Sequence, residues 1–261
     1  MKKRTRRILA ALLGLCLLGS FASCTTQEGD GETTTTPEAE TVAFMDGYQS
    51  AINLDAYRSA LSVDSEGYLL LVNKQNPLGS AYAPATLKTI DSSLTLGGKS
   101  LELESVAASA AEAMIRELHA RGYTEIVMTS AYRDYAYQNS LFSYYTNEEL
   151  AAHPGWTRAE AEAEAATYSA RPGTSEHQSG LCMDLISARD CVLDESFADL
   201  AAYDWLTENA HCFGFILRYP EGMDAVTGYS YEPWHYRFVG VPAATAIHDR
   251  GLTLEQYLSE E

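Results

Sequence analysis

The run Leu181-Cys182-Met183-Asp184-Leu185-Ile186 sets one carboxylate inside an otherwise apolar stretch. The stretch reads as a strand, and a charge buried in a strand must be given a partner or a metal ion. Any fold this chain adopts therefore has to bring something to Asp184. Upstream, Pro172 and Gly173 mark a loop that carries His177, and Gly180 permits a sharp turn before the strand. A histidine on that loop and the aspartate on the strand can converge. Alone, a histidine beside a strand is more often a hydrogen-bonded structural residue.

A second stretch reads Glu232-Pro233-Trp234-His235. Pro233 disfavours helix, so Glu232 and His235 project from an extended or kinked segment, unlike the helical HExxH arrangement. The two stretches together supply two imidazoles, one carboxylate placed to share a metal with them, and a second carboxylate three residues from a histidine. A mononuclear zinc hydrolase needs three protein ligands, an open position for water and a nearby base. His177, Asp184 and His235 suit the ligands, and Glu232 suits the base. The plain alternative is a surface glutamate and a histidine packed among aromatics. A third segment, Ser130-Ala131-Tyr132-Arg133-Asp134-Tyr135-Ala136-Tyr137-Gln138, lies at the end of a predicted strand. A cation at a strand end can bind a substrate carboxylate or steady an oxyanion, although capping or salt bridging is the default role of such an arginine.

The elements around these segments follow from periodicity. Val106, Ala110, Met114 and Leu118 recur every four residues and predict a helix stopped at Arg121-Gly122. Glu125–Ser130 predicts a strand. Helices are expected from Asp134 to about Leu150 and from Thr157 to Tyr168, the latter with Thr157 as cap and Glu160 three positions on. Leu69–Asn73 reads as a buried strand or an extended lead-in. Ser196–Cys212 predicts a helix stopped near Gly214, Phe215–Tyr219 and Trp234–Val239 predict strands, and Ala243–Asp249 begins a C-terminal helix. Without regular βαβ alternation, the expected class is α+β with a small, mostly antiparallel sheet and flanking helices.

The N-terminus has another character. Lys2, Lys3, Arg4, Arg6 and Arg7 precede an apolar run from Ile8 to Leu18, followed by Gly19-Ser20-Phe21-Ala22-Ser23-Cys24. That is the pattern of a secretory signal over 1–23, and its apolar run falls short of the roughly 20 residues a membrane span needs. Phe21-Ala22-Ser23-Cys24 resembles a bacterial lipobox, in which Cys24 would carry the lipid; plain secretion is the alternative. Residues 24–41 lack large apolar side chains and read as a flexible acidic, Thr-rich tether. Residues 42–261 are expected to form one domain.

The formal net charge is −18, and removing the five basic residues of 1–23 leaves about −23, which argues against nucleic acid and against electrostatic adsorption to anionic lipid. Cys182, Cys191 and Cys212 show no CxxC pattern and are odd in number, so no disulfide is assigned.

Taken in order, Ser130-Ala131-Tyr132-Arg133, Ser175-x-His177-x6-Asp184 and Glu232-x-Trp234-His235 resemble the zinc D-alanyl-D-alanine carboxypeptidases of the VanY type and their relatives, the L,D-carboxypeptidases of peptidoglycan. The likeness runs over roughly residues 66–242 and includes Leu71-Val72-Asn73-Lys74, Arg171–His177 and Phe215–Pro220. It implies a Hedgehog/D,D-peptidase-like zinc peptidase fold. It also implies Zn2+ held by His177, Asp184 and His235, Glu232 as general base and proton shuttle, and Arg133 on the scissile carbonyl. Ser175 and Gln138 match positions that seat the substrate's C-terminal residue, and Tyr132, Tyr231 and Trp234 are candidate cleft walls. The implied activity is removal of the C-terminal D-alanine from peptidoglycan stem peptides outside the cytoplasm, by a monomer tethered to the membrane through Cys24. The alternatives are L,D-cleavage of tetrapeptide stems or a non-catalytic wall-binding module, which would need neither Glu232 nor Arg133. Cys182 departs from the pattern, which usually has a small residue such as alanine. A thiol there can compete for zinc, but cysteine often behaves as a small buried hydrophobe, so Cys182 is read as packing.

Overall fold

Alanine lets a helix lie close against a sheet, and that contact organises the molecule. The structure, a computed structural model, describes residues 48–260. The predicted signal, the tether, Cys24 and the first residues of the expected domain lie outside the described residues. In chain order the elements are α1 (Arg58–Leu61), β1 (Leu87–Thr89), β2 (Glu102–Glu104), α2 (Ser105–Ala120), β3 (Ile126–Ser130), α3 (Tyr135–Ala152), α4 (Arg158–Ala165), β4 (Cys182–Ser187), α5 (Ala201–Asn209), β5 (Phe215–Leu217), α6 (Asp224–Thr227), β6 (His235–Phe238), α7 (Val241–Arg250) and α8 (Leu254–Ser259). Short 3-10 turns lie between several of them. A four-stranded sheet has the order β3-β4-β6-β5 with every neighbouring pair antiparallel, and β1 and β2 form a separate antiparallel pair. This is the expected α+β class.

Helix α2 starts where the Glu104 carboxylate accepts the backbone N–H groups of Val106 and Ala107, and the chain turns away at Gly122, whose φ of 101° suits glycine. Its buried stripe holds Ala107, Ala110, Ala111, Met114, Ile115 and Leu118. Met114, Ile115 and Leu118 each contribute about 1.5–3 kcal/mol by leaving water. They share one core with Met128, Met183, Leu185, Phe215, Tyr236 and Phe238 from the sheet. Side chains alternate along a strand, so Cys182 and Asp184 on β4, and His235 and Arg237 on β6, emerge on the opposite face. Asp184 pairs across the ladder with His235, and Cys182 with Arg237.

Several boundaries differ from the sequence expectation, each for a physical reason. Leu69–Asn73 joins no ladder, because the carbonyls of Tyr68 and Leu70 accept hydrogen bonds from the buried guanidinium of Arg237; the extended lead-in holds and the strand does not. The helix expected over Ser196–Cys212 is broken into a 3-10 turn (Glu195–Asp199), α5, and a second 3-10 turn (Ala210–Phe213), with Leu200 extended at the first junction. Gly214, at φ 79°, does end it. Helix α4 carries the Thr157–Glu160 capping box but ends at Ala165. Strands β5 and β6 are shorter than predicted, and α7 begins earlier, at Val241, with a proline in its first turn. No bond joins Cys182, Cys191 and Cys212, which are free thiols. No helix among the described residues is long and apolar enough to cross a membrane.

Candidate metal and catalytic site

Asp184 is central in the sheet, between Ser130 on β3 and His235 on β6, and a break in register follows Met128 on β3. His177 reaches it from a 3-10 turn, Glu176–Ser179, that ends at Gly180 with φ 70°. A Cβ on Gly180 would stand 2.7 Å from Pro84 and 3.2 Å from the Glu104 backbone, so both the turn and the packing require glycine. Pro233 keeps Glu232 out of helix, and the His235 N–H closes a turn onto the Glu232 carbonyl. The sequence thus folds locally as its loop and proline signals indicate.

Polar contacts indicate which ring nitrogens face inward. His177 Nδ1 lies 2.6 Å from the Ala131 carbonyl, which can only accept, so this nitrogen donates. The neutral ring then turns the Nε2 lone pair toward Asp184 Oδ2, 3.3 Å away. His235 Nε2 faces Glu176 Oε2 at 3.5 Å, while its Nδ1 is 3.1 Å from Asp184 Oδ1. With a proton on Nε2 directed at Glu176, Nδ1 also presents a lone pair. Two imidazole lone pairs and a carboxylate then converge, all buried, and Asp184 Oδ1 has no hydrogen-bond partner. Such a centre requires a positive charge. Nitrogen and carboxylate donors of this kind suit zinc. Protons are the competitor: burial and Arg133 disfavour charge on His177, yet Cys182 and Asp184 outweigh them and lift it to about 9. Burial alone would raise the Asp184 carboxyl, but the two imidazoles hold it well below the usual range.

Glu232 lies at the rim, with Oε2 3.5 Å from His235 Nδ1 and its side chain 20% exposed. Burial pushes its carboxyl up to about 7, with Asp184 adding to the rise and His235 opposing it. A carboxylate of this kind takes and returns protons near neutrality. Arg133 approaches from the other side, with Nη1 3.8 Å from Asp184 Oδ2. Its Nε donates to Gln138 Oε1 at 3.0 Å and its Nη1 to Ser130 Oγ at 2.7 Å. Gln138 is itself held, its amide donating to the Ala170 carbonyl at 2.7 Å. One cleft exposes Arg133, Ser175, His177, Asp184, Glu232, Trp234 and His235 together, with Leu141, Tyr145, Tyr168, Leu193, Tyr219 and Tyr229 among its walls.

Residues 100–241 match the family model for VanY, D-alanyl-D-alanine carboxypeptidase. The chain belongs to the VanY family. It is 37% identical over 198 residues to the putative carboxypeptidase YodJ of Bacillus subtilis (strain 168), covering 75% of this chain and 68% of that protein. It is 38% identical over 196 residues to a D-alanyl-D-alanine carboxypeptidase of Enterococcus faecalis (strain ATCC 700802 / V583), covering 75% and 67%. Among solved structures it is similar to the LdcB LD-carboxypeptidase (TM-score 0.64, 36% identity, 75% of this chain and 87% of that one). The likeness to VanYB in complex with D-alanine-D-alanine is comparable (TM-score 0.63, 36% identity, 75% and 99%). A VanY mutant solved with Zn(II) matches at TM-score 0.62 and 36% identity, over 74% and 99%. The fold is that of the VanY zinc peptidases, and zinc is the metal of the family.

Not every residue singled out in the sequence reaches the VanY-type cleft. Gln138 is buried behind Arg133 and accepts its Nε hydrogen bond, so it does not itself line the cleft. Tyr132 is not among the cleft-lining residues; its backbone N–H donates to the Glu102 carbonyl, on the β2 side. Tyr231 is also outside the lining, its hydroxyl bonded to that of Tyr203 at 2.9 Å. The walls come instead from Tyr145, Tyr168, Tyr219 and Tyr229, which no local pattern distinguishes among 17 tyrosines.

Glu176 was missed. It is fully buried, and its Oε1 accepts from Arg218 Nε at 2.8 Å and Arg237 Nη1 at 2.7 Å. Burial raises its carboxyl, but Arg218 and Arg237 outweigh that and hold it far below the usual range. A signal was present: Arg218 and Arg237 each interrupt an apolar strand as Asp184 does, and the same demand for a partner points to Glu176.

Proposed function

We propose that this chain is a zinc carboxypeptidase that removes the C-terminal D-alanine from peptidoglycan stem peptides. His177 Nε2, Asp184 and His235 Nδ1 would hold the metal, which when bound lowers the pKa of water and polarises a carbonyl. Glu232 takes a proton from the attacking water and returns it to the leaving amine, a role that needs a carboxylate titrating near neutrality. Arg133 meets the oxygen on which charge develops, and its fixed guanidinium needs little reorganisation as it does so. Gln138 and Ser130 position Arg133. Ser175 seats the departing residue, and Trp234, Tyr145 and Tyr168 wall the cleft. The single observation that carries this reading is the meeting of two imidazole lone pairs and a buried, unsatisfied carboxylate oxygen beside an arginine and a carboxylate raised to about 7.

The family's substrate lies outside the cytoplasm. The sequence of 1–41 supports export by a cleaved signal, a lipid on Cys24 and a flexible tether to the domain. A Cys24→Ala protein is expected to leave the membrane fraction; retention there contradicts the anchor.

Purified protein incubated with pentapeptide and tetrapeptide muropeptides is expected to release D-alanine from the pentapeptide, and a chelator is expected to stop it. Release from the tetrapeptide alone would assign the enzyme to L,D-cleavage. D-alanine from neither would remove the carboxypeptidase reading.

A further inference from the structure

The sheet register places a thiol where none of the chemistry above uses one. Cys182 and Asp184 are two residues apart on β4 and leave the sheet on one face. Leu181, Met183 and Leu185 enter the main hydrophobic core, and Cys182 does not. Cys182 Sγ and ring nitrogens of His177 and His235 all lie within 4.8 Å of one another, and all three side chains are buried. Two donors on one tetrahedral zinc stand roughly 3.3–3.6 Å apart, given bonds of about 2.0–2.3 Å. The thiol is therefore no more than about 1.2–1.5 Å beyond ligand spacing from both histidines. The same pocket holds a buried carboxylate oxygen without a hydrogen-bond partner, Asp184 Oδ1. Arg237, paired with Cys182 across the ladder, is already engaged by Glu176 and the carbonyls of Tyr68, Leu70 and Phe238, so it does not claim the thiol.

We propose that Cys182 is a fourth protein donor to the metal in this chain, a thiolate beside His177, Asp184 and His235. The inference rests on the zinc reading above and departs from the three-donor pattern. As the sulfur–metal bond forms, the thiol proton passes to solvent, and no electrons change hands. A second anionic donor holds the metal more tightly and shifts preference toward softer ions. It also leaves less positive charge to act on a water or a carbonyl, and a water would have to enter as a fifth ligand, so Cys182 trades reactivity for retention of the metal.

The test uses cobalt(II) as the probe, titrated into the metal-free full chain and into its Cys182→Ala variant. Alanine keeps the Cβ and the ladder hydrogen bonds, so the strand is preserved. The wild-type chain is expected to develop a near-ultraviolet thiolate-to-cobalt charge-transfer band that saturates at one equivalent. Cys182→Ala is expected to bind one equivalent without that band, with affinity lowered about tenfold or more. One equivalent of cobalt bound by the wild type with no band, or a band unchanged in Cys182→Ala, overturns the proposal and leaves the zinc reading standing. Failure of both proteins to bind cobalt overturns the two together.

Discussion

Two groups of buried charges share one face of the four-stranded sheet and are satisfied in opposite ways. In the first, Glu176 accepts from Arg218 and Arg237, Arg218 also grips Glu255 through Nη1 at 2.9 Å and Nη2 at 2.6 Å, and Arg237 spends its other donors on backbone carbonyls. In the second, Asp184 faces two ring nitrogens and an arginine at 3.1–3.8 Å, with one carboxylate oxygen unsatisfied. The first group is bound largely within itself, with Glu176 Oε2 its one carboxylate oxygen lacking a hydrogen bond, and it holds the strands and the lead-in segment together. The second turns its polar atoms inward toward the cleft that also exposes Glu232 and Arg133. His235 belongs to both, Nε2 facing Glu176 and Nδ1 facing Asp184. The closed group thereby sets the ring orientation that the open one uses, as outer-shell carboxylates do around metal-bound histidines.

The largest expected effect tests the open group. Glu232→Gln should lower kcat for D-alanine release by about 10²–10⁴-fold while zinc stoichiometry stays at that of the wild type. In the wild type, the active form of Glu232 is ionised, so activity should fall as pH drops through its folded value. That value is about 7 without a metal, and a nearby cation favours the ionised form, so the acid limb should lie at or below about 7. A pH–rate profile whose acid limb lies well above 7 would break the assignment.

Next comes the closed group. Glu176→Gln leaves two buried guanidinium groups without their shared carboxylate and should cost about 3–5 kcal/mol in denaturant unfolding of the metal-free protein. The folded carboxyl is depressed, so its contribution is present above the unfolded value and is lost as pH falls through the folded one. The variant should accordingly show a flatter loss of stability in acid. Unfolding with added zinc then separates the groups. Zinc at a hundred times its Kd should stabilise the wild type by about 2.7 kcal/mol. That increment should vanish in Asp184→Asn and survive, reduced, in Glu176→Gln. Equal loss in both would erase the distinction between the groups.

The smallest effect concerns Gln138. If it acts only by holding Arg133, Gln138→Ala should lower kcat about tenfold through misplacement of the guanidinium. Zinc affinity should be unchanged, and Gln138→Glu, which keeps an acceptor for Arg133 Nε, should recover most of the loss. Steady-state kinetics alongside a zinc titration would expose a wider structural role.

Much of this was legible beforehand because each signal was local. Asp184 in an apolar run, Pro233 between Glu232 and His235, Gly180 before a strand and the Thr157–Glu160 capping box state their constraint within a few residues. The broken helix around Leu200 and the non-strand at Leu69–Asn73 were not legible. Their conformations depend on distant partners, such as Arg237 drawing the Tyr68 and Leu70 carbonyls off any ladder. Tyr132 and Tyr231 sit next to site residues in sequence but do not line the cleft.

The sequence by itself determined the α+β class and the family, and it singled out Asp184, His177 and His235 as the donors we propose, because residue type and short spacing carry chemistry directly. Only the tertiary structure decided which ring nitrogens face inward, that Gln138 is bonded to Arg133 behind the cleft, that Glu176 faces both charge groups, and that Cys182 stands beside both histidines. Those are matters of register and of contacts between segments far apart in the chain, and burial makes each of them costly to leave unsatisfied.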